Sequence, residues 1–203
     1  MAHGQAEALL PMVETAMRRA GLPAAVLDFA AATVGPGSFT GIRVGLAAAH
    51  GIALALDIPL FGVTAFEAVA ASVPLDRDDG RRVLLAALES RRADLYVQLF
   101  DGARRQLGPA AAVMPAALAA WVDSGVGAAP LLIAGDAAER AAAGLARRPR
   151  IEVAADPPRA VVGVLSAALG RWRQGGRGGA ARPFYLRPPA VTLAHGRPAP
   201  TGP

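Results

Sequence analysis

DFAAATVGPGSFTGIRVGLAAAHGIALALD, residues 28–57, is the stretch on which the fold turns. Its apolar run at 29–34, bounded by turn signals, fits a short strand covered on both faces. Gly35-Pro36-Gly37 stops that strand. Ser38 or Thr40 then caps a helix over 41–56 by accepting from its first free N–H groups. The helix carries two apolar rows, Ile42, Leu46, Ala49, Ala53 and Leu56 on one and the small set Gly41, Gly45, Ala48 and Ile52 on the other. Arg43, His50 and Asp57 make its one polar stripe. A helix apolar almost all round is covered on more than one side. Its own sheet can take one row, and the glycine row would let another helix approach closely. Burial inside a single domain and a partner surface both satisfy this pattern.

Working outward, residues 4–19 form an amphipathic helix with Leu9, Leu10, Val13, Met17 and Ala20 on one side, begun or kinked by Pro11 and ended by Gly21 and Pro23. After the central helix, 60–63 makes a second strand, parallel to the first by crossover logic. Thr64 and Glu67 form a capping box that opens a short helix through Ser72. An N-terminal lobe therefore covers 1–73, and the polar stretch 74–82 is the linker. The C-terminal lobe, 83–190, begins with strands at 83–88 and 94–100 and a third at 110–113. Pro115 starts a helix that Gly125 closes. Strand 131–134 is followed by an alanine-rich helix to about residue 147, strand 151–153, helix 160–173 and a flexible glycine loop at 175–179. The proline- and glycine-rich residues 191–203 read as a disordered tail. A parallel α/β lobe followed by hairpin strands with helices suits a duplicated α/β architecture.

Composition narrows the function classes. The 203-residue chain is 53% hydrophobic with a mean hydropathy of +0.35, carried largely by alanine and glycine. No membrane span is expected, because Asp57, Pro59 and Glu67 interrupt the longest apolar region. Without cysteine there is no thiolate metal site or disulfide, and the cytoplasm is the expected compartment. All 21 basic residues are arginine, and the net charge is +5. The arginines read as scattered, without the aromatic interleaving of an RNA-binding sheet, so coding bias explains them better than a nucleic-acid site.

Catalytic signals are weak. Gly35, Gly37 and Ser38, between a strand and a helix N-terminus, are the best candidates for a phosphate cradle. They match neither G-x-G-x-x-G nor a P-loop, and no lysine is present. His3, His50 and His195 are far apart and form no ligand pair. Glu67, Glu89 and Asp136 lie in different elements, with Asp136 best explained as a helix cap. No catalytic constellation, metal site or cofactor site is expected.

The segments GPGSFTGIRVGLAAAHGIALALDIPLFGV, HGQAEALLPMV, VLLAALESRRADLYVQLF and PFYLRPP together resemble the TsaB (YeaZ) family of threonylcarbamoyladenosine biosynthesis proteins. That resemblance implies an actin–sugar kinase–Hsp70-like (ASKHA) duplicated fold of two small lobes, each on a βββαβαβα plan. Against that plan the first lobe lacks its opening three strands, and upstream codons in the same frame are expected to encode them. The resemblance also implies a non-catalytic scaffold for the transferase TsaD, a heterodimer partner that carries a metal-binding H-x-x-x-H where this chain has Ala65 and Val69. It further implies a link to the ATPase TsaE, ATP and metal held by partners only, tRNA contact only indirectly, self-association in isolation, and no membrane role. The family's helical interface maps here onto Gly41, Arg43, Gly45, Ala48, His50 and Ile52, with Leu10 and Val13 of the first helix. The competing classes are a nucleotide-binding or peptidase-like enzyme of the same fold and a homodimeric interaction module.

Overall fold

The computed structural model describes residues 5–74, 82–155 and 160–187. The linker at 74–82 falls mostly outside them, and the tail at 191–203, His3 and His195 fall outside entirely. Two sheets are present. The first pairs β1 (Ala30–Gly35) with β2 (Leu60–Thr64) in parallel. The second has the order β5-β4-β3-β6-β7, from β3 (Val83–Glu89), β4 (Leu95–Phe100), β5 (Ala111–Val113), β6 (Leu131–Ala134) and β7 (Ile151–Val153). In it β4 is antiparallel to both β3 and β5, whereas β3, β6 and β7 run parallel.

Six helices complete the described chain: α1 (Gln5–Ala20), α2 (Phe39–Leu56), α3 (Ala65–Ser72), α4 (Leu118–Val126), α5 (Ala138–Gly144) and α6 (Ala160–Arg173). Ser38 caps α2, its hydroxyl accepting from Gly41 N–H, and Asp57 in the left-handed region ends it. Thr64 and Glu67 form the expected capping box at α3, an arrangement worth about 1 kcal/mol. Gly125 lies within α4; the helix is closed instead by Gly127, at φ 55°, a conformation glycine adopts without a Cβ penalty. The alanine-rich helix stops at Gly144 rather than near 147, and Asp136 caps nothing, since Ala137 precedes α5 without a side-chain bond.

The layers follow from the apolar faces. On one side of the first sheet, Ile42, Leu46 and Ala53 of α2 pack with Val34 and Leu60. On its other side, Phe61 and Val63 meet Ala68 of α3 and Ala168 of α6. The opposite face of α3, with Phe66, Val69 and Val73, lies on Leu84, Phe100 and Leu132 of the second sheet. The far face of that sheet is closed by Leu118 and Val122 of α4 and Ala141 of α5. α3 and α6 thus form the middle layer between the sheets. They cross at a close approach: a Cβ on Gly163 would stand 1.9 Å from the Ala68 carbonyl oxygen.

The order β3-β4-β5-α4-β6-α5-β7-α6 is the full eight-element plan, and α1-β1-α2-β2-α3 is its second half repeated. The place that β3 takes beside β6 has no strand beside β1 among the described residues. The outer edge of β2, in contrast, is satisfied: Leu60 C=O accepts from Gly179 N–H and Gly62 C=O from the Arg171 guanidinium.

The crossing of α3 and α6 predicts opposite outcomes for one substitution at two sites of the same helix. Gly163→Ala should lower the urea unfolding midpoint by driving the helices apart. Gly170→Ala, whose Cβ would meet nothing within 4 Å, should raise it through a gain in unfolding free energy of about 0.5–1 kcal/mol. Two shifts of the same sign would refute this packing.

Candidate functional site

The segment after α6, expected as a flexible glycine loop, follows a defined path in the structure. Residues 176–187 lie back across the first lobe: Gly179 N–H donates to Leu60 C=O at 3.0 Å and Phe184 N–H to Val34 C=O at 2.8 Å. Ala181 is buried beside Val34 and Leu60. Its carbonyl lies 3.0 Å from His50 Nε2. Arg43 Nε donates to the Tyr185 hydroxyl at 3.2 Å, and its guanidinium sits 3.7 Å above the Phe39 ring, which in turn packs on Tyr185. Arg43 and His50 of the α2 polar stripe, expected at a partner interface, thus also contact the chain's own C-terminal segment while both stay exposed.

The small-residue row has a different setting. Gly41, Gly45, Ala48 and Ile52 line a depression of about 590 Å³ together with Leu9 and Val13 of α1 and the β1 backbone. It flanks the unpaired side of β1. What faces outward on α2 is a third row, Val44, Ala47, Gly51, Leu54 and Ala55, which sequence reasoning missed. Apart from Val44, which is half-buried, these residues are exposed, Leu54 to 85%. The signal was present as spacing, because 44, 47, 51 and 54 recur at alternating intervals of three and four with no charge among them. Leu10 of α1, 55% exposed, adds to the uncovered apolar surface on the same helix pair. Only Ile42, Leu46 and Ala53 of the 18 residues in α2 are buried. By length and composition α2 would also pass for a membrane span. Against that reading, one row is seated on its own sheet and Arg43 and His50 are tied to the C-terminal segment.

The cradle residues are occupied structurally. The Ser38 hydroxyl is the helix cap, and Gly35, at φ 118°, faces the Phe184 carbonyl oxygen, which a Cβ would approach to 2.5 Å. That carbonyl turns an electronegative atom toward the turn, the wrong polarity for a phosphate. Ligands of parallel α/β sheets sit beyond the carboxyl ends of strands. Here Phe184, Tyr185, Leu186 and Arg187 line, with Pro36, Gly37 and Phe39 and the β3–β4 turn, a cavity of only about 150 Å³.

The carboxylates are likewise engaged. Asp136 Oδ1 accepts from Glu89 N–H at 2.9 Å, so these two do converge, but Glu89 is paired with Arg140. Glu67 is shared between the α3 cap and Arg171. Asp94, 3% exposed, accepts from the Ser90 hydroxyl and pairs with Arg187. Ala65 opens α3 and Val69 is buried in it, and neither offers a donor to a metal. Among the described residues no three His, Cys, Asp or Glu side chains are grouped as metal ligands.

Comparison with known proteins places this geometry. Residues 2–168 match the family described as TsaD: tRNA N6-adenosine threonylcarbamoyltransferase. An uncharacterized protein of Mycobacterium tuberculosis is 33% identical over 167 residues, 82% of this chain and 71% of that protein. The tRNA threonylcarbamoyladenosine biosynthesis protein TsaB of Escherichia coli is 34% identical over 88 residues, 43% of this chain and 37% of its own length. The solved structure of YeaZ from Pseudomonas aeruginosa superposes with a TM-score of 0.67 at 28% identity, covering 90% of this chain and 85% of that one. A second P. aeruginosa structure, described as having similarity to peptidase YEAZ, gives 0.66 at 28% identity over 89% and 83% of the two chains. The ASKHA-type duplicated fold and the relatives agree: the chain belongs to the TsaD family, in its TsaB (YeaZ) branch.

Proposed function

We propose that this chain is a non-catalytic scaffold for TsaD in the biosynthesis of threonylcarbamoyladenosine in tRNA, and that it works in the cytoplasm. One observation carries the reading. α2 has three buried residues among its 18, and its uncharged outer row Val44, Ala47, Gly51, Leu54 and Ala55 is available to a second protein. Small residues let helix backbones approach, and covering a residue such as Leu54 stabilises a complex by about 2 kcal/mol. The docking face is therefore the outer row of α2 with Leu10 of α1, while Gly41, Gly45, Ala48, Ile52 and Val13 shape the depression behind it.

The scaffold role is further supported by what the junction between the sheets contains. The cradle turn is capped and faces only a small cavity, and the acidic residues are bonded to arginines or backbone. ATP and metal are then supplied by the partner proteins, TsaD and the ATPase TsaE. Without TsaD, the same apolar face drives self-association.

Two outcomes are expected. Leu54→Asp should weaken co-purification of TsaD by about 30-fold or more, with the unfolding curve unchanged because the side chain is exposed. Retention of the full amount of TsaD by this variant would remove the docking face. Purified chain alone should not hydrolyse ATP or peptides above background. Hydrolysis that is lost on Ser38→Ala or Asp136→Asn would instead favour an enzyme.

A further inference from the structure

The basic charge is segregated along the chain. Residues 157–203 carry seven arginines and no acidic residue, whereas residues 1–156 carry fourteen arginines against sixteen acidic residues, so the net +5 divides into −2 and +7. The fold gathers part of this excess on one surface. The ribbon 171–187, RWRQGGRGGAARPFYLR, holds Arg171, Arg173, Arg177, Arg182 and Arg187. The reading of the arginines as scattered and free of aromatic interleaving holds for the first lobe's sequence but fails here, where Trp172, Phe184 and Tyr185 stand among them.

Most arginines elsewhere have fixed partners. Arg82, Arg105, Arg140 and Arg148 pair with Glu152, Asp101, Glu89 and Asp123. Arg104 donates to the carbonyls of Ala70 and Val73. In the ribbon, Arg171 and Arg187 are paired with Glu67 and Asp94. Arg173, Arg177 and Arg182 are exposed and have no hydrogen-bond or ion-pair partner among the described residues. Arg177 and Arg182 line a depression of about 700 Å³ beside β2, with Gln174, Gly176, Gly178 and Gly179 and the apolar Leu60 and Phe61, while Arg173 lies on α6 outside that lining. The ribbon is held there by the Gly179–Leu60, Phe184–Val34 and His50–Ala181 contacts, so these arginines project from an ordered base.

We propose that this ribbon binds the sugar–phosphate backbone of RNA directly, with Arg173, Arg177 and Arg182 as its phosphate contacts. Unpaired guanidiniums around a concave, glycine-lined base suit a curved polyanion, since arginine binds phosphate bidentately and glycine lets a backbone approach. A flat anionic bilayer would not reach the floor of the depression. Ala181, which lines the depression, contacts His50 of α2 and none of the outer-row residues lines it, so RNA and a partner on the outer row can be held together. The choice of tRNA as the RNA rests on the function proposed above; the arginine site itself does not.

The test measures binding of an unmodified tRNA transcript to the full chain without TsaD, by fluorescence anisotropy between 50 and 200 mM salt. The proposal expects Arg177→Glu/Arg182→Glu to weaken binding at least tenfold at 100 mM salt and to flatten the log–log salt slope by about 1–2. Arg91→Glu/Arg147→Glu, which changes the net charge equally on exposed residues outside the ribbon, should cost less than threefold. Arg177→Gln/Arg182→Gln, checked by its unfolding curve, separates loss of contact from misfolding and should give the same direction. Equal losses in the ribbon and control variants, no binding by the unaltered chain, or binding to phosphatidylglycerol vesicles in place of tRNA would each overturn the proposal. Co-purification of TsaD with the ribbon variant is measured in parallel. Failure of the unaltered chain to co-purify TsaD while it still binds tRNA would sink the scaffold reading alone.

Discussion

Everything about this molecule's surface depends on how α2 is seated. The helix is apolar nearly all round, yet among the described residues its sheet has two strands and can cover only one row of it. Ile42, Leu46 and Ala53 take that place. The C-terminal ribbon contacts Arg43 and His50 on one flank, and α1 stands off on the other side across a depression. The outer row is left in water. Leaving several small apolar residues and an 85% exposed leucine on a single helix face is a cost that a second protein relieves.

The middle layer explains why the junction between the sheets is occupied by the chain itself. α6 belongs by order to the second half, but it packs with α3 against the first sheet, and the Gly163–Ala68 approach sets how closely they lie. From there the chain must cross the edge of β2 and the end of β1. In doing so it satisfies the Leu60 and Val34 carbonyls and lines the small cavity beside the Gly35–Ser38 turn with residues 184–187. One excursion therefore completes a short sheet, contacts the polar stripe of α2, narrows the junction and displays unpaired arginines.

Much of this was legible in the sequence because local rules and tertiary packing agree. The strand–turn–helix of residues 28–57, the Thr64–Glu67 box and the alternation of elements in the second lobe are all written in short-range signals. The site was only partly legible. Helical spacing identifies rows but not which row meets the sheet, so Gly41, Gly45, Ala48 and Ile52 could be named while the exposed Val44–Leu54 row went unnoticed. Arg43 and His50 looked like a rim because their partners, Tyr185 and Ala181, are more than 130 residues away. Glu89 and Asp136 meet through strand pairing, which no local pattern specifies. The glycine run at 175–179 reads as flexible by composition, yet Gly175 and Gly176 bond back to the end of α6 and Gly179 to Leu60 of β2.

The central claim is that the outer face of α2 exists to be covered by TsaD. Hydrogen–deuterium exchange of the chain alone and in complex with TsaD tests it most directly. The account predicts slowed exchange in peptides spanning α2 and α1, with the second sheet and residues 174–182 unchanged. Unaltered exchange across α2, with protection appearing at the ribbon or the second lobe instead, would contradict it.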